Sequence, residues 1–116
     1  MEQLCRKLRE LGVDTDGVIA RLGGNEQLYL SICRKFINDA SFLSAKNAFT
    51  SGDFMDAQVH IHTLKGVSAN LGFSMIHSIC ERLLTELDQY DLEKFNEDMN
   101  ILTREYDKII ALIVRG

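Results

Sequence analysis

The sequence predicts an all-α fold, an antiparallel up-down four-helix bundle preceded by one or two short helices. Three observations support this fold class. The chain contains no proline. Apolar residues recur at helical spacing along nearly its whole length, and β-branched residues never alternate with polar ones over a strand's length. The connections between helical segments are short, so consecutive helices should pack as antiparallel neighbours.

Two short helices are predicted at the start of the chain. The first spans residues 2–11 and ends at a glycine. The second spans residues 15–22, with Asp14 as its N-cap and a pair of glycines at its end.

Four longer helical segments follow and form the bundle. Asn25 can cap the first, which runs to Ala48 with a break near Asp39. Asp53 and Asp91 can cap two of the later helices, because their carboxylates lie at the positive helix ends. The three later helices are predicted at residues 54–70, 74–87 and 92–113.

Length and composition limit the classes of protein to which the chain can belong. Its 116 residues suit one domain, predicted over residues 1–116, and its apolar content of 46% is enough for a buried core. The formal net charge of −4 argues against nucleic-acid binding. No apolar run approaches the roughly 20 residues that span a membrane, and residues 1–11 lack the apolar stretch of a secretory signal. We therefore expect a cytoplasmic protein that is not attached to a membrane.

The cysteines support the same location. Cys5, Cys33 and Cys80 are widely spaced and form no C-x-x-C pair. Free cysteines of this kind are more often small buried residues than redox or metal-binding groups. We predict that all three belong to the core.

The helix over residues 54–70 turns one histidine away from the core. At about 100° per residue, its core-facing positions fall on one side. These positions are Ala57, Ile61, Leu64, Ser68 and Leu71. His62 lies about 145° from the centre of that side and should face solvent or a partner. Its neighbours on the outer face are Met55, Gln58, Val59, Lys65, Gly66 and Ala69.

Gly66 is unusual, because a glycine in the middle of a helix costs about 1 kcal/mol relative to alanine. With the small Ala69 nearby, it leaves a depression beside His62 where the backbone of another protein could approach. Lys65 lies about 60° around the helix from His62, so its ammonium can reach an anion bound to the ring. A neutral imidazole also offers a nucleophilic nitrogen at cellular pH. A lone exposed histidine usually has no function, but these neighbours favour a histidine that becomes phosphorylated.

Residues 62–72 resemble the signature of histidine-containing phosphotransfer (Hpt) domains, H-x-L-K-G followed after five residues by a second glycine. The matching positions are His62, Leu64, Lys65, Gly66 and Gly72. The similarity extends over nearly the whole chain. Residues 22–29 resemble the family's opening of the first long helix, and residues 79–83 resemble the helix that follows the phosphorylated one.

The resemblance implies a phosphorelay intermediate that has no kinase activity and no cofactor of its own. His62 is then the phosphoacceptor, modified at Nε2, and Lys65 steadies the phosphoryl group. Gly66 lets a receiver domain dock, and Gly72 ends the helix. The docking surface also includes Val59, Ala69 and Met55.

The implied partners are the receiver domain of a response regulator and a hybrid sensor histidine kinase, and we expect a monomer. The receiver must supply the metal ion, since the chain offers no carboxylate cluster near His62 to bind Mg²⁺.

Two positions depart from the family pattern. Ile61 stands where many members have alanine, and its predicted core position makes this change harmless. Leu84 stands where some members have a glutamine that hydrogen-bonds the imidazole. Glu81, one turn earlier, could substitute and orient Nδ1 of His62, and an ordered water would serve equally well.

Other interpretations of the charged and histidine residues have less support. His60 and His62 lie about 200° apart on the helix, so they cannot share a metal ion. His77 and Glu81 have i,i+4 spacing, but two ligands do not make a site, and no metal is predicted. We interpret the charged runs 97–98 and 105–108 as a solvated face.

Two alternatives concern the function and assembly of the bundle. The apolar positions over residues 92–113 would suit a coiled-coil dimer, but their length of about three heptads and the partners available within the chain favour a bundle core instead. A helical adaptor that binds a partner by shape alone, without phosphorylation, is the alternative function.

Overall fold

The computed structural model describes residues 2–115, and the regular structure within this range is entirely helical, as predicted. The helices are α1 (Glu2–Glu10), α2 (Thr15–Arg21), α3 (Glu26–Lys35), α4 (Ser41–Thr50), α5 (Phe54–Leu71), α6 (Ser74–Asp88) and α7 (Leu92–Arg115), with a 3-10 turn (Phe36–Asn38) after α3. Within residues 2–115, no helix combines the length and apolar character needed to cross a membrane.

Side-chain caps begin four helices at the predicted positions. The carboxylates of Asp14 and Asp53 each accept a hydrogen bond of 3.1 Å from the backbone N–H three residues later. Asn25 and Asp91 cap α3 and α7 in the same way, at 3.0 and 3.2 Å. Each cap satisfies a backbone donor that the first turn of a helix leaves without a partner.

The first long helix is divided where the sequence predicts a break. α3 ends at Lys35, and after the 3-10 turn Asp39 adopts an extended backbone with φ −74° and ψ 123°. The Asp39 carboxylate accepts hydrogen bonds from the backbone N–H of Ser41, at 2.9 Å, and from the Ser41 hydroxyl. These bonds begin α4, which continues to Thr50, slightly beyond the predicted end.

The bundle consists of the divided first helix, α5, α6 and α7. α5 packs between α4 and α6, and α6 packs against α7. α3 contacts both α5 and α7, while α1 lies against α7 and α2 contacts α3 and α5. The predicted four-helix bundle with two short N-terminal helices is therefore confirmed.

Aromatic contacts join the divided helix to the rest of the core. Phe42 of α4 stacks on Tyr106 of α7 with ring centroids 4.1 Å apart, and Phe36 meets Phe73 edge-on at 5.0 Å. Most of the predicted apolar positions of α7 are buried in the same core. They form the bundle interior, as preferred over a coiled-coil dimer.

All three cysteines are buried and unpaired, which confirms their predicted place in the core. Burial raises the pKa of the Cys33 thiol to about 11 and that of Cys80 to about 12. Neither thiol is therefore ionised near neutral pH, and their role is packing.

A buried carboxyl pair joins α6 to α7 and corrects one prediction. Asp98, expected on a solvated face, is only 5% exposed, and Arg82 donates to both of its oxygens at 2.9 and 3.3 Å. Glu86 is 6% exposed. Burial and the neighbouring Asp98 raise the pKa of Glu86 to about 7, while hydrogen bonding to Arg82 lowers the pKa of Asp98. The prediction was wrong because Asp98 faces α6, where Arg82 neutralises it.

Candidate functional site

α5 carries the candidate site and is defined at both ends. Asp53 caps its first turn, and Gly72 ends it with a left-handed backbone, φ 79°. A Cβ at Gly72 would lie 2.6 Å from the backbone oxygen of Asp14. The backbone N–H of Asp14 also donates to the Gly72 oxygen at 2.9 Å. The end of α5 is therefore held directly against the start of α2.

The buried side of α5 consists of the five residues that the sequence predicts. Each is at most 3% exposed: Ala57, Ile61, Leu64, Ser68 and Leu71. Burial of this side between α4 and α6 fixes the rotation of the helix about its axis. His62 is consequently exposed. Within residues 2–115, its imidazole has no hydrogen bond or ion pair that would hold it back from a reaction partner.

The surface around His62, here called the α5 outer face, comprises Met55, Val59, His62, Gly66 and Ala69. Met55 is 82% exposed and Val59 is 59% exposed. A Cβ built on Gly66 would meet no atom within 4 Å. Packing within the chain therefore does not require glycine at this position. What the glycine provides is bare helix backbone beside the imidazole.

Lys65 reaches from α5 toward α6. Its Nζ lies 4.0 Å from Oε2 of Glu81, and its side chain is 30% exposed. The other carboxylate oxygen of Glu81 lies 3.6 Å from Nδ1 of His77. Lys65, Glu81 and His77 thus form a row of polar groups, here called the α5–α6 charge row, beside the α5 outer face.

The suggestion that Glu81 orients the imidazole of His62 is wrong. The Glu81 carboxylate contacts Lys65 and His77 instead. Leu84, at the position where some family members have glutamine, is half-buried and packs against the core. Helical angles placed Glu81 on the correct side of α6, but they could not show which group on α5 it meets. The one feature of the sequence that pointed to the contact between Glu81 and Lys65 was the opposite charge of the two side chains.

The other histidines lie away from His62. Nε2 of His60 is 3.3 Å from Oδ2 of Asp56, one turn earlier on α5, and His77 belongs to α6. In the part of the chain that the structure describes, no three histidine, cysteine or acidic side chains are grouped closely enough to hold a metal ion. His62 is therefore the histidine that the α5 outer face exposes.

Comparison with known protein families shows a match to the Hpt domain over residues 32–112. A search of curated proteins and a search of solved structures found nothing that matches the chain. The matched range begins within α3 and contains α4, α5, α6 and most of α7. It is narrower than the resemblance predicted from the sequence, because residues 22–29 lie outside it. Since the match covers most of the chain and includes the whole of the helix that exposes His62, this protein belongs to the Hpt domain family, whose members carry phosphoryl groups on histidine in two-component and phosphorelay systems.

Proposed function

We propose that this chain is a phosphorelay intermediate that exchanges a phosphoryl group between Nε2 of His62 and an aspartate of a receiver domain. The observation that carries the proposal is the exposed imidazole of His62, which has no hydrogen-bond or ion-pair partner among the described residues and lies beside the open backbone at Gly66. Family membership supports the same chemistry. The chain acts as a carrier and not as a kinase.

The transfer exchanges one bond to phosphorus for another. The neutral imidazole nitrogen attacks the aspartyl phosphate, an N–P bond forms, and the O–P bond breaks to release the aspartate carboxylate. Reversal of this step passes the group to the next aspartate. Phosphoryl transfer depends mainly on alignment and charge neutralisation, and in this proposal the receiver domain supplies the Mg²⁺.

The remaining site residues assist docking and charge neutralisation in this proposal. Met55 and Val59 offer exposed apolar surface on one side of His62. Gly66 and Ala69 let the receiver backbone approach on the other side. Lys65 supplies the positive charge that steadies the phosphoryl group, and Gly72 has the structural role of ending α5. The partner is the receiver domain of a response regulator, free or within a hybrid sensor histidine kinase.

We further propose that residues 1–116 act as one monomeric, cytoplasmic domain. The single continuous cluster of buried residues supports the proposal that the chain forms one domain. Three buried cysteines without a disulfide suit a reducing compartment.

The test is transfer of labelled phosphate from receiver domains charged with acetyl phosphate and Mg²⁺. We expect an acid-labile, alkali-stable label on the chain, which is lost in His62→Gln. His60→Gln serves as the matched control, because it removes a histidine from the same helix without touching the α5 outer face. Its label should equal that of the wild type.

Two outcomes would contradict the proposal. Label that persists in His62→Gln would place the phosphoryl group on another residue. Receiver binding without any transfer of label, and with equal affinity for His62→Gln, would identify a helical adaptor.

A further inference from the structure

In the α5–α6 charge row, the carboxylate of Glu81 lies beside Lys65. The proposed function needs the positive charge of Lys65 for the phosphoryl group on His62. Lys65 is the cation nearest in sequence to His62 on α5, yet its ammonium lies 4.0 Å from Glu81 on the neighbouring helix. In the part of the chain described by the structure, Glu81 is its one anionic partner within this distance. Before phosphorylation the ammonium therefore lies near Glu81.

Glu81 is itself held from a second side. Its other oxygen lies 3.6 Å from Nδ1 of His77, one turn earlier on α6. Glu81 is more than half exposed, and the side chains of Lys65 and His77 are each about one third exposed. Exposed ion pairs of this kind are weak and exchange partners readily. A stronger anion near Lys65 can therefore displace Glu81.

The phosphoryl group would be such an anion. It carries a charge of about −1.5 to −2 near neutral pH, compared with −1 for a carboxylate. When it is attached to His62, it competes with Glu81 for the ammonium of Lys65, and pairing with it draws the ammonium away from Glu81. The carboxylate then remains close to a second negative group and without its lysine, which opposes phosphorylation of His62.

We propose that Glu81 is a positioning residue that competes with the phosphoryl group of His62 for the ammonium of Lys65, and so limits the share of phosphate that His62 retains against the receiver aspartate. This inference rests on the proposed function, since it concerns regulation of the same site. In this inference Glu81 weakens the hold of His62 on its phosphoryl group and so favours transfer of the group to the receiver aspartate. A carrier that held the group too tightly would pass it on slowly.

The first experiment measures the equilibrium partition of label between the chain and the receiver domain that labels the wild type fastest. Glu81→Gln should raise the share on His62 by about two- to fivefold, the range that loss of an exposed ion pair can produce. Glu97→Gln is the matched control, because it makes the same charge change at an exposed position on α7. Its partition should equal that of the wild type.

The role of Lys65 is tested by repeating Glu81→Gln in a Lys65→Gln background. If the two residues act through each other, the effect of Glu81→Gln should largely disappear. An undiminished effect would mean that Glu81 acts by general repulsion, and the inference would be overturned. A wild-type partition in the single Glu81→Gln variant would overturn it as well.

A second experiment requires no receiver domain. Phosphoramidate phosphorylates imidazole directly, forming the N–P bond as its own P–N bond breaks and ammonia leaves. The His62 phosphorus signal, identified by its loss in His62→Gln, is then titrated by NMR. In Glu81→Gln the titration midpoint of the phosphoryl group should fall, because Lys65 is no longer shared, and an unchanged midpoint would refute the inference.

The partition assay and the NMR titration together distinguish failure of the proposed function from failure of the inference about Glu81. Failure of every receiver domain to label the wild type would refute the proposed function, while the NMR titration would still test Glu81. Normal labelling of the wild type together with wild-type behaviour of Glu81→Gln in both assays would refute only the inference about Glu81.

Discussion

Ile61 and His62 are adjacent in sequence and lie about 100° apart around α5, so that one is buried and the other exposed. Ile61 is fully buried, and burial of a side chain of its size contributes about 1.5–3 kcal/mol. Together with Leu64 and the other buried positions, it fixes the rotation of α5. Because each helical step turns by about 100°, this rotation exposes His62. The exposure could be predicted from the sequence because it depends only on the spacing of core residues.

A substitution at Gly66 should affect phosphoryl transfer without lowering the stability of the fold. Gly66→Gln should leave the free energy of unfolding unchanged or raise it by up to about 1 kcal/mol, since glutamine is a better helix former than glycine. A Cβ built there would meet no atom within 4 Å. Transfer of label from a receiver should fall sharply, because the new side chain covers the approach to His62. Urea denaturation and the transfer assay measure the two effects.

Gly66→Ala is the matched control for this substitution. It gives a similar gain in helix propensity but adds only a methyl group, so transfer should fall much less than in Gly66→Gln. Wild-type transfer rates in Gly66→Gln would show that this position has no docking role.

The partner of Lys65 could not be predicted at the residue scale. The helical angle predicts that its ammonium can reach a group on His62, and the structure places that ammonium 4.0 Å from Glu81. The direction of a long flexible side chain depends on the nearest opposite charge, and that charge lies on α6. Contacts of this kind depend on the packing of two helices, which the sequence of either helix alone does not contain.

At the scale of whole elements, the ends of α5 were predicted closely, because both are determined by local residues. The Asp53 carboxylate satisfies a donor of the first turn, and Gly72 supplies the left-handed conformation at the last. The break after α3 was predicted only as lying near Asp39. Its details depend on a 3-10 turn that brings Phe36 against Phe73, a contact between residues far apart in the chain.

The end of α5 provides a prediction about helix packing. Gly72→Ala should lower the free energy of unfolding by about 2 kcal/mol or more, because the left-handed backbone disfavours a side chain and the new Cβ would also press on Asp14. Gly52→Ala is the matched control. Gly52 has a similar φ of 82°, but its Cβ would meet no atom within 4 Å.

We expect Gly52→Ala to cost only about 1 kcal/mol, the conformational part of the penalty. Urea denaturation of both variants measures the difference. Equal losses of stability would mean that contact between α5 and α2 at Gly72 contributes nothing to the bundle.

At the scale of the whole molecule, the buried carboxyl pair makes stability depend on pH. Glu86 has its pKa raised to about 7 from an ordinary value of 4.5. The folded state therefore holds this proton more tightly than the unfolded chain does. The associated stabilisation is fully present below pH 4.5 and is lost as the pH rises through 7. The pKa of Asp98 is lowered, so its contribution to stability has the opposite dependence on pH. It is present near neutral pH and is lost as the pH falls through the lowered pKa.

The free energy of unfolding should accordingly fall by about 2 kcal/mol between pH 5 and pH 8. Glu86→Gln keeps a hydrogen-bond donor beside Asp98 and has no proton to lose, so its stability should change much less over this range. Denaturation of both proteins at the two pH values measures the effect. Glu93→Gln, an exposed substitution on α7, should follow the wild type.

Parallel pH profiles of wild type and Glu86→Gln would show that Glu86 is not the responsible group.

The sequence did contain a signal for this pair, since Glu86 and Asp98 fall at core spacing on their helices. Charged residues at such positions are ordinarily solvated, and the burial of both became clear only from the packing of α6 on α7.

The position of His62 along α5 has a consequence for recognition. It lies nine residues from the cap at Asp53 and ten from the cap at Gly72, or about 14 and 15 Å at the usual helical rise. Fraying is confined to the last turn at each end and does not reach it. In the proposed function, a receiver domain therefore meets a helix surface that is already ordered, so complex formation requires little ordering on this side. In the proposed function, any change of shape on binding would then occur in the receiver domain, and more than one receiver domain could dock on the same helix surface.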